Sequence, residues 1–168
     1  LVEAACEAGA GPLAARPLTL RFLAQGFAEN GELASSGSAI YRSGLRALCD
    51  EHNTIRREAG LTGTVTVEER LSIARRLAAA TVFGGRGTLW TGPASSADEG
   101  DLSPDDLVGG TEPTPWGSIA VTPKALEETT RTALFTTRGH HRLGWAHATC
   151  ADFPAADRLG ADGIALSF

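Results

Sequence analysis

The sequence predicts a mostly α-helical protein in two parts, a helical subdomain followed by one that mixes helices with a short β-hairpin. Three observations support this prediction. Apolar residues recur at helical spacing in several stretches, glycine, proline and serine are concentrated in residues 84–117, and Gly139 separates two short candidate strands. We expect the first subdomain over residues 1–60 and the second over residues 64–160, with 84–117 as a long surface excursion.

The composition limits the classes of protein to which the chain can belong. Its 168 residues, 42% of them hydrophobic, are enough to form a core. Its net charge of −5 has the opposite sign to the surface of most nucleic-acid-binding domains. It has no long apolar run and no leader, and its three cysteines suit reduced thiols. We therefore expect a cytoplasmic protein that binds neither a membrane nor nucleic acid.

Two helices are predicted in the first subdomain. One lies in "RPLTLRFLAQGFAENG" and ends at Asn30-Gly31. It begins at Pro17, because the backbone N–H that proline lacks would have no hydrogen-bond partner in the first turn of a helix. The other follows "SGSAIYRSGLRALCDEHN". Apolar or small residues share one face in each helix. They are Leu18, Phe22, Leu23 and Phe27 in the first helix, and Ile40, Tyr41, Gly44, Leu45, Leu48 and Cys49 in the second.

The second subdomain begins with a third predicted helix. Thr66 and Glu69 have the spacing of a capping box, which indicates a helix over "TVEERLSIARRLAAATVF". Inside the excursion, "SPDDLVGG" predicts one short helix, with Ser103 as its cap and Pro104 in its first turn.

Shorter elements follow the excursion. "SIAV" predicts a strand, and Thr122-Pro123 opens the helix "PKALEETTRTALF". A hairpin then turns at Gly139, and "ATCADFPAADRL" is helical except at Pro154. The order helix, excursion, strand, helix and hairpin is typical of a winged helix.

Four residues near the end of the chain raise the question of a metal or a nucleophile: His140, His141, His147 and Cys150. Their spacing is not that of a structural zinc site, and a polar turn is the better interpretation of His140-His141. Cys150 with His147 would make a thiolate pair only if they met in space, the alternative being a buried, inert cysteine. A small thiol or zinc enzyme therefore stays open as one alternative.

No phosphate-binding loop is present in the sequence. The pattern G-x-x-x-x-G-K-[ST] is absent, and "GGRGTLW" and "GGTEPTPWG" read as turns. By itself the chain therefore cannot hydrolyse a nucleotide by the P-loop mechanism. It also contains no methionine and starts within a helix-like stretch, so we expect a fragment of a longer protein.

Two segments carry a resemblance to a known family. "RPLTLRFLAQGFAENGELASSGSAIYRSGLRALCDE" resembles the helical lid that follows the nucleotide-binding core of NACHT-type signalling ATPases, in the STAND class of NTPases. "RLGWAHATCADFPAA" resembles the winged-helix signature of the same family. Two positions depart from that signature: Cys150 stands where the family has an aromatic residue, and Pro154 where it has leucine. The resemblance covers about residues 12–157.

This resemblance implies a switch that senses the state of a bound nucleotide. In the family, lid and winged helix close over ADP or ATP with Mg²⁺ held by a P-loop core, which this chain lacks. By the match, Pro17 would pack on the adenine, and His147 would reach the β-phosphate and clamp the resting state. Exchange for a triphosphate would release the winged helix and allow homo-oligomerisation, and bacterial relatives act largely in defence and signal transduction. For the isolated chain no cofactor is expected.

A DNA-binding winged-helix regulator is the second alternative. It requires a basic helix that enters the major groove. The candidate helix carries Lys124 and Arg131 against Glu127 and Glu128, which does not favour this interpretation.

Overall fold

The computed structural model describes residues 17–31, 36–50 and 63–161. These residues contain five α-helices, which are α1 (Pro17–Asn30), α2 (Gly37–Cys49), α3 (Val67–Phe83), α4 (Pro123–Thr130) and α5 (Ala148–Ala161). They also contain six β-strands, which are β1 (Thr88–Trp90), β2 (Asp101–Leu102), β3 (Thr111–Thr114), β4 (Gly117–Ala120), β5 (Phe135–Gly139) and β6 (Arg142–Trp145). Helices exceed strands in this part of the chain, in agreement with the predicted mostly α class.

Two compact units follow one another along the chain, Leu1–Leu48 and Cys49–Phe168. The predicted end of the first subdomain at residue 60 lies outside the described residues, and so does Cys6. In the ranges that are described, no helix is both long enough and apolar enough to cross a bilayer.

Helices α1 and α2 of the first unit meet through a glycine. A Cβ atom added at Gly44 would lie 2.1 Å from Cγ of Phe22, so the Phe22 ring packs directly on the α2 backbone. Phe22 also meets Tyr41 edge-on, and the Tyr41 hydroxyl is hydrogen-bonded to Thr19 at 3.1 Å. Both predicted helices are present, with Pro17 as the first residue of α1. Directly after α1, Gly31 has a backbone φ of 73°, and its amide donates a hydrogen bond to the Phe27 carbonyl.

Helix α3 begins with the predicted capping box. Thr66 Oγ1 accepts a hydrogen bond from the Glu69 amide, and the Glu69 carboxylate accepts one from the Thr66 amide. Just before it, the Glu128 carboxylate on α4 accepts the amides of Thr64 and Val65, at 3.1 and 2.9 Å. Burial alone would raise the pKa of Glu128, but these hydrogen bonds and the Arg70 charge lower it. The start of α3 is thereby tied to α4.

Helix α3 forms the centre of the second unit, since it packs against α4, α5 and β3. Five of its side chains are almost completely buried: Leu71, Ile73, Ala74, Leu77 and Ala78. Val82, in the last turn of the helix, is 39% exposed. Buried residues of α4 and of the following turn complete this core: Leu126 and Leu134.

The stretch 84–117 differs from the expected surface excursion. It supplies β1 and β2 to a four-stranded sheet of order β2-β1-β6-β5, in which Leu89 and Trp90 of β1 are buried. Strands β1 and β2 are parallel, whereas the β1–β6 and β5–β6 pairs are antiparallel. The prediction missed these strands because three and two residues are too few to show an alternating pattern. The expected short helix is a single 3₁₀ turn at Pro104–Leu107, capped by Ser103.

The remaining elements also deviate in length from the prediction. The strand predicted at "SIAV" is β4, which pairs with β3 in a separate two-stranded sheet. Helix α4 ends at Thr130 rather than at Phe135, since the Thr132 amide and hydroxyl both bond to the Thr129 carbonyl and close a turn. The predicted hairpin is β5–β6, with Gly139 at a φ of 141°.

The expected interruption of the last helix at Pro154 is wrong. Helix α5 continues through this proline, whose side chain is fully buried. A proline inside a helix costs about 3 kcal/mol of stability, because one backbone hydrogen bond is lost and its ring meets the preceding turn. Packing of α5 against α3 offsets this cost.

Candidate functional site

The residue to which the resemblance assigns a phosphate contact, His147, lies between β6 and α5. Its side chain is exposed. The Thr149 amide donates a hydrogen bond to His147 Nδ1 at 3.1 Å, and the Thr149 hydroxyl lies at the same distance from that nitrogen. His147 therefore caps the first turn of the helix, as Asn or Ser side chains do elsewhere.

This hydrogen bond determines the tautomer of the ring. Because Nδ1 accepts the amide, the neutral imidazole carries its proton on Nε2 and can donate it to an acceptor. The aligned backbone dipoles of this 14-residue helix create a positive potential at its start, where His147 lies. Chemically, His147 and this helix terminus suit an anion with strong acceptor oxygens.

Strand β6 and the residue after it, which lead to His147, are fixed by contacts with α3, with β5 and with the residue before β5. Trp145 donates its indole N–H to Thr81 Oγ1 at 3.0 Å, and its ring centroid lies 4.4 Å from that of Phe135. The Ala146 amide donates to the Leu134 carbonyl at 2.8 Å. These contacts fix the backbone immediately before the candidate residue.

The structure does not support a thiol nucleophile at Cys150. The side chain is fully buried, and burial raises the pKa of its thiol to about 11. Its amide donates to the His147 carbonyl at 2.9 Å, a backbone contact that does not involve the imidazole. A buried, protonated thiol is a poor nucleophile, which favours the inert cysteine.

The structure does not bring the four possible zinc ligands together either. Among the described residues, no group of three or more histidine, cysteine or acidic side chains has a geometry that could hold a metal ion. His140 and His141 meet edge-on at the hairpin turn, with 3.9 Å between ring centroids. His141 has a φ of 58°, and the Trp90 ring lies edge-on to it.

The basic residues of the candidate DNA-reading helix are paired with acids. Lys124 Nζ lies 4.0 Å from the Glu128 carboxylate, and Arg131 forms an ion pair with Glu127. With only eight residues, α4 presents neither the length nor the net positive charge that a helix in the major groove needs.

Comparison with family models, curated proteins and solved structures finds no match to this chain. The resemblance therefore depends on the two quoted segments alone. Pro17 lies in the first unit, exposed, as the first residue of α1, and His147 lies in the second unit. Their roles toward a nucleotide stay predictions.

Sequence reasoning missed a polar cluster that stabilises the sheet. Asp101 on β2 and Arg142 on β6 form an ion pair, and the Arg142 guanidinium lies over the Trp90 ring at 4.9 Å from its centroid. Thr88 donates a short hydrogen bond to the same carboxylate. No local pattern could have found the cluster, since Arg142 follows Asp101 by 41 positions in the sequence.

Proposed function

We propose that this chain is the regulatory, nucleotide-state-sensing part of a NACHT-type signalling ATPase. In this proposal the first unit is the helical lid, the second unit is winged-helix-like, and a P-loop core of the parent protein holds ADP or ATP with Mg²⁺. The chain itself has no catalytic role, since it lacks the loop whose lysine and hydroxyl bind phosphate and Mg²⁺. The parent protein acts in the cytoplasm and forms homo-oligomers when activated.

The hydrogen bonding of His147 is the observation that carries the proposal. With Nδ1 engaged by the Thr149 amide, Nε2–H remains as a donor on an exposed ring at the start of α5. Hydrogen bonds to charged phosphate oxygens are stronger than those between neutral groups. A bond of this kind, made to a diphosphate in one state and lost in the other, biases a two-state equilibrium.

The order of elements supports the winged-helix part of the proposal. Helix α3 is followed by short strands, then by α4, by the β5–β6 hairpin and by α5. This is the order that the sequence segments of the family follow. For the lid, the support is that α1 begins at Pro17, so the ring stands at an exposed helix end where a flat apolar base can pack on it.

The experiment compares His147→Ala with His140→Ala in the parent protein, purified together with its P-loop core. Both histidines are exposed, but His140 belongs to the hairpin turn and has no assigned role. We expect His147→Ala to lose bound ADP and to raise basal signalling, whereas His140→Ala retains its nucleotide. Bound nucleotide is measured by ion-exchange chromatography after denaturation.

Two results would contradict the proposal. One is equal ADP content in both variants and the unmodified parent protein. The other is a coding sequence with no Walker lysine within roughly two hundred residues upstream of Leu1, the span in which a domain of usual size would place it.

A further inference from the structure

Strand β4 is an unprotected sheet edge. Edge strands in native proteins are usually very short, bulged, charged, interrupted by proline or covered. Strand β2 has two residues, and β5 carries Arg138 and a register shift. Strand β3 contains Pro113, whose carbonyl accepts a hydrogen bond from Ser72 on α3. Among the described residues, no strand pairs with the outer edge of β4, and this strand carries neither charge, proline nor bulge.

The hydrogen bonds between β3 and β4 determine which backbone groups of β4 point outward. Val121, directly after β4, faces the other strand, since its amide donates to the Gly110 carbonyl at 3.1 Å and its carbonyl accepts from the Gly109 amide at 2.8 Å. Residues that face the partner strand and residues that face away alternate in an antiparallel pair. The amides and carbonyls of Ser118 and Ala120 therefore point away from β3, and both side chains are exposed.

A large apolar side chain lies at the start of the same strand. Trp116 is in the turn between β3 and β4, directly before Gly117, and it is 89% exposed. Tryptophan is enriched among the residues that dominate protein–protein binding. The unprotected edge and the exposed indole are independent observations, and both indicate that a partner covers this end of the second unit.

From this geometry we infer that β4 pairs with β4 of a second copy of this chain, antiparallel about a two-fold axis at Ile119. Ser118 of each copy then lies opposite Ala120 of the other, and each such pair exchanges both N–H···O=C bonds. These bonds use every outward amide and carbonyl of both strands. Trp116 lies opposite Thr122 of the second copy, which covers part of the indole.

The side chains of β4 favour a second copy as the partner. The two Ile119 side chains form a non-hydrogen-bonded pair, the kind in which side chains on neighbouring strands approach most closely. Beside them a serine meets an alanine on each side of the axis, so that neither size nor charge opposes the pairing. The contact requires only β4 and Trp116, and it is independent of the proposed nucleotide-sensing role.

Sedimentation equilibrium of the 168-residue chain tests the inference. A contact through one short strand and one aromatic side chain is smaller than a standard interface, so the dimer is weak. We expect monomers at about 5 µM and mostly dimers at about 0.5 mM. Trp116→Ala should weaken dimerisation about tenfold, because an apolar side chain is removed from the edge of the contact.

Two double variants test the register. Ser118→Lys with Ala120→Lys places lysine opposite lysine in both pairs, and this chain should stay monomeric at the highest concentration. Ser118→Lys with Ala120→Glu places lysine opposite glutamate in both pairs and should dimerise at least as tightly as the unmodified chain. Both positions are exposed, so neither variant removes a buried contact. Circular dichroism first shows that each variant is folded.

Three outcomes would overturn the inference. The first is an unmodified chain that stays monomeric at every concentration, whether β4 pairs with another protein or with none. The second is association that the double lysine variant leaves intact, which would place the contact elsewhere on the chain. The third is loss of the dimer in the lysine–glutamate variant to the same extent as in the double lysine variant, which would exclude this register.

Discussion

Asp101 and Arg142 form a bidentate ion pair. The pair crosses β1, because β1 lies between β2, which carries Asp101, and β6, which carries Arg142. Arg142 Nε lies 3.0 Å from Oδ1, and its Nη2 lies 2.9 Å from Oδ2. The Asp101 side chain is 3% exposed, so the pair is screened from water on the carboxylate side. This geometry joins β2 to β6 across β1, although Arg142 follows Asp101 by 41 positions in the sequence.

Replacing Asp101 with Asn should therefore lower the melting temperature of the second unit by several degrees. The amide cannot accept both hydrogen bonds from Arg142, and Arg142 loses its principal partner. Asp98→Asn is the matched control, because the Asp98 side chain is 80% exposed although it pairs with the same arginine. Thermal unfolding followed by circular dichroism checks both variants. Equal melting temperatures for the two would contradict this account.

The same pair predicts how stability depends on pH. Hydrogen bonds from Arg142 and then Thr88 hold the pKa of Asp101 well below its usual 3.8. Because the folded-state pKa is lower than the unfolded one, the unfolded chain takes up this proton first. The contribution of Asp101 is thus complete above about pH 4 and is lost as the pH falls further. Between pH 4 and pH 2, Asp101→Asn should lose less stability than the unmodified chain.

Glu112 should contribute more to stability than an ordinary surface carboxylate. It is 3% exposed on β3 and accepts hydrogen bonds from Arg76 on α3, at 3.2 Å, and from Arg158 on α5. We expect Glu112→Gln to lower the free energy of unfolding by about 1.5 to 3 kcal/mol, since bonds to charged groups are lost. Urea unfolding measures this change. Glu99→Gln, at an exposed position, should stay within about 0.5 kcal/mol.

Replacing either of two helical glycines in the first unit with alanine should change the free energy of unfolding, in opposite directions for the two positions. A Cβ atom at Gly44 would meet the Phe22 ring, whereas one at Gly26 has nothing within 4 Å. Gly44→Ala should therefore destabilise by about 1 to 3 kcal/mol through overpacking. Gly26→Ala should stabilise by up to about 1 kcal/mol through helix propensity. Chemical unfolding of both variants checks this, and the same sign for both would refute the close packing at Gly44.

Neither Cys49 nor Cys150 should react with iodoacetamide in the folded chain at pH 8. Both side chains are fully buried, and burial raises their thiol pKa values to about 12 and about 11. At that pH almost no thiolate is present at either position, and the reagent has no access. Peptide mapping by mass spectrometry should find both cysteines unlabelled until denaturant is added. Rapid labelling of Cys150 in the folded chain would revive the thiol-enzyme alternative.

Local chemistry explains which elements could be predicted from the sequence. The capping box at Thr66 and Glu69, the helix that starts at Pro17 and the hairpin turn at Gly139 depend on residues within four positions of one another. Strand β1 could not be predicted in this way. It has three residues, and its partner Arg142 follows Trp90 by more than fifty positions. At the candidate site, the resemblance singled out His147 but not the Thr149 amide that determines its tautomer.

The sequence by itself determined where helices begin, where the hairpin turns and which faces are apolar, because these features follow from backbone hydrogen bonds and side chains of near neighbours. Only the tertiary structure decided that Asp101 and Glu112 are buried ion-pair partners, that Cys150 is inaccessible and that α5 continues through Pro154. Burial and pairing depend on groups that approach from distant parts of the chain. Their energies are large enough to override a local preference such as that of proline against a helix interior.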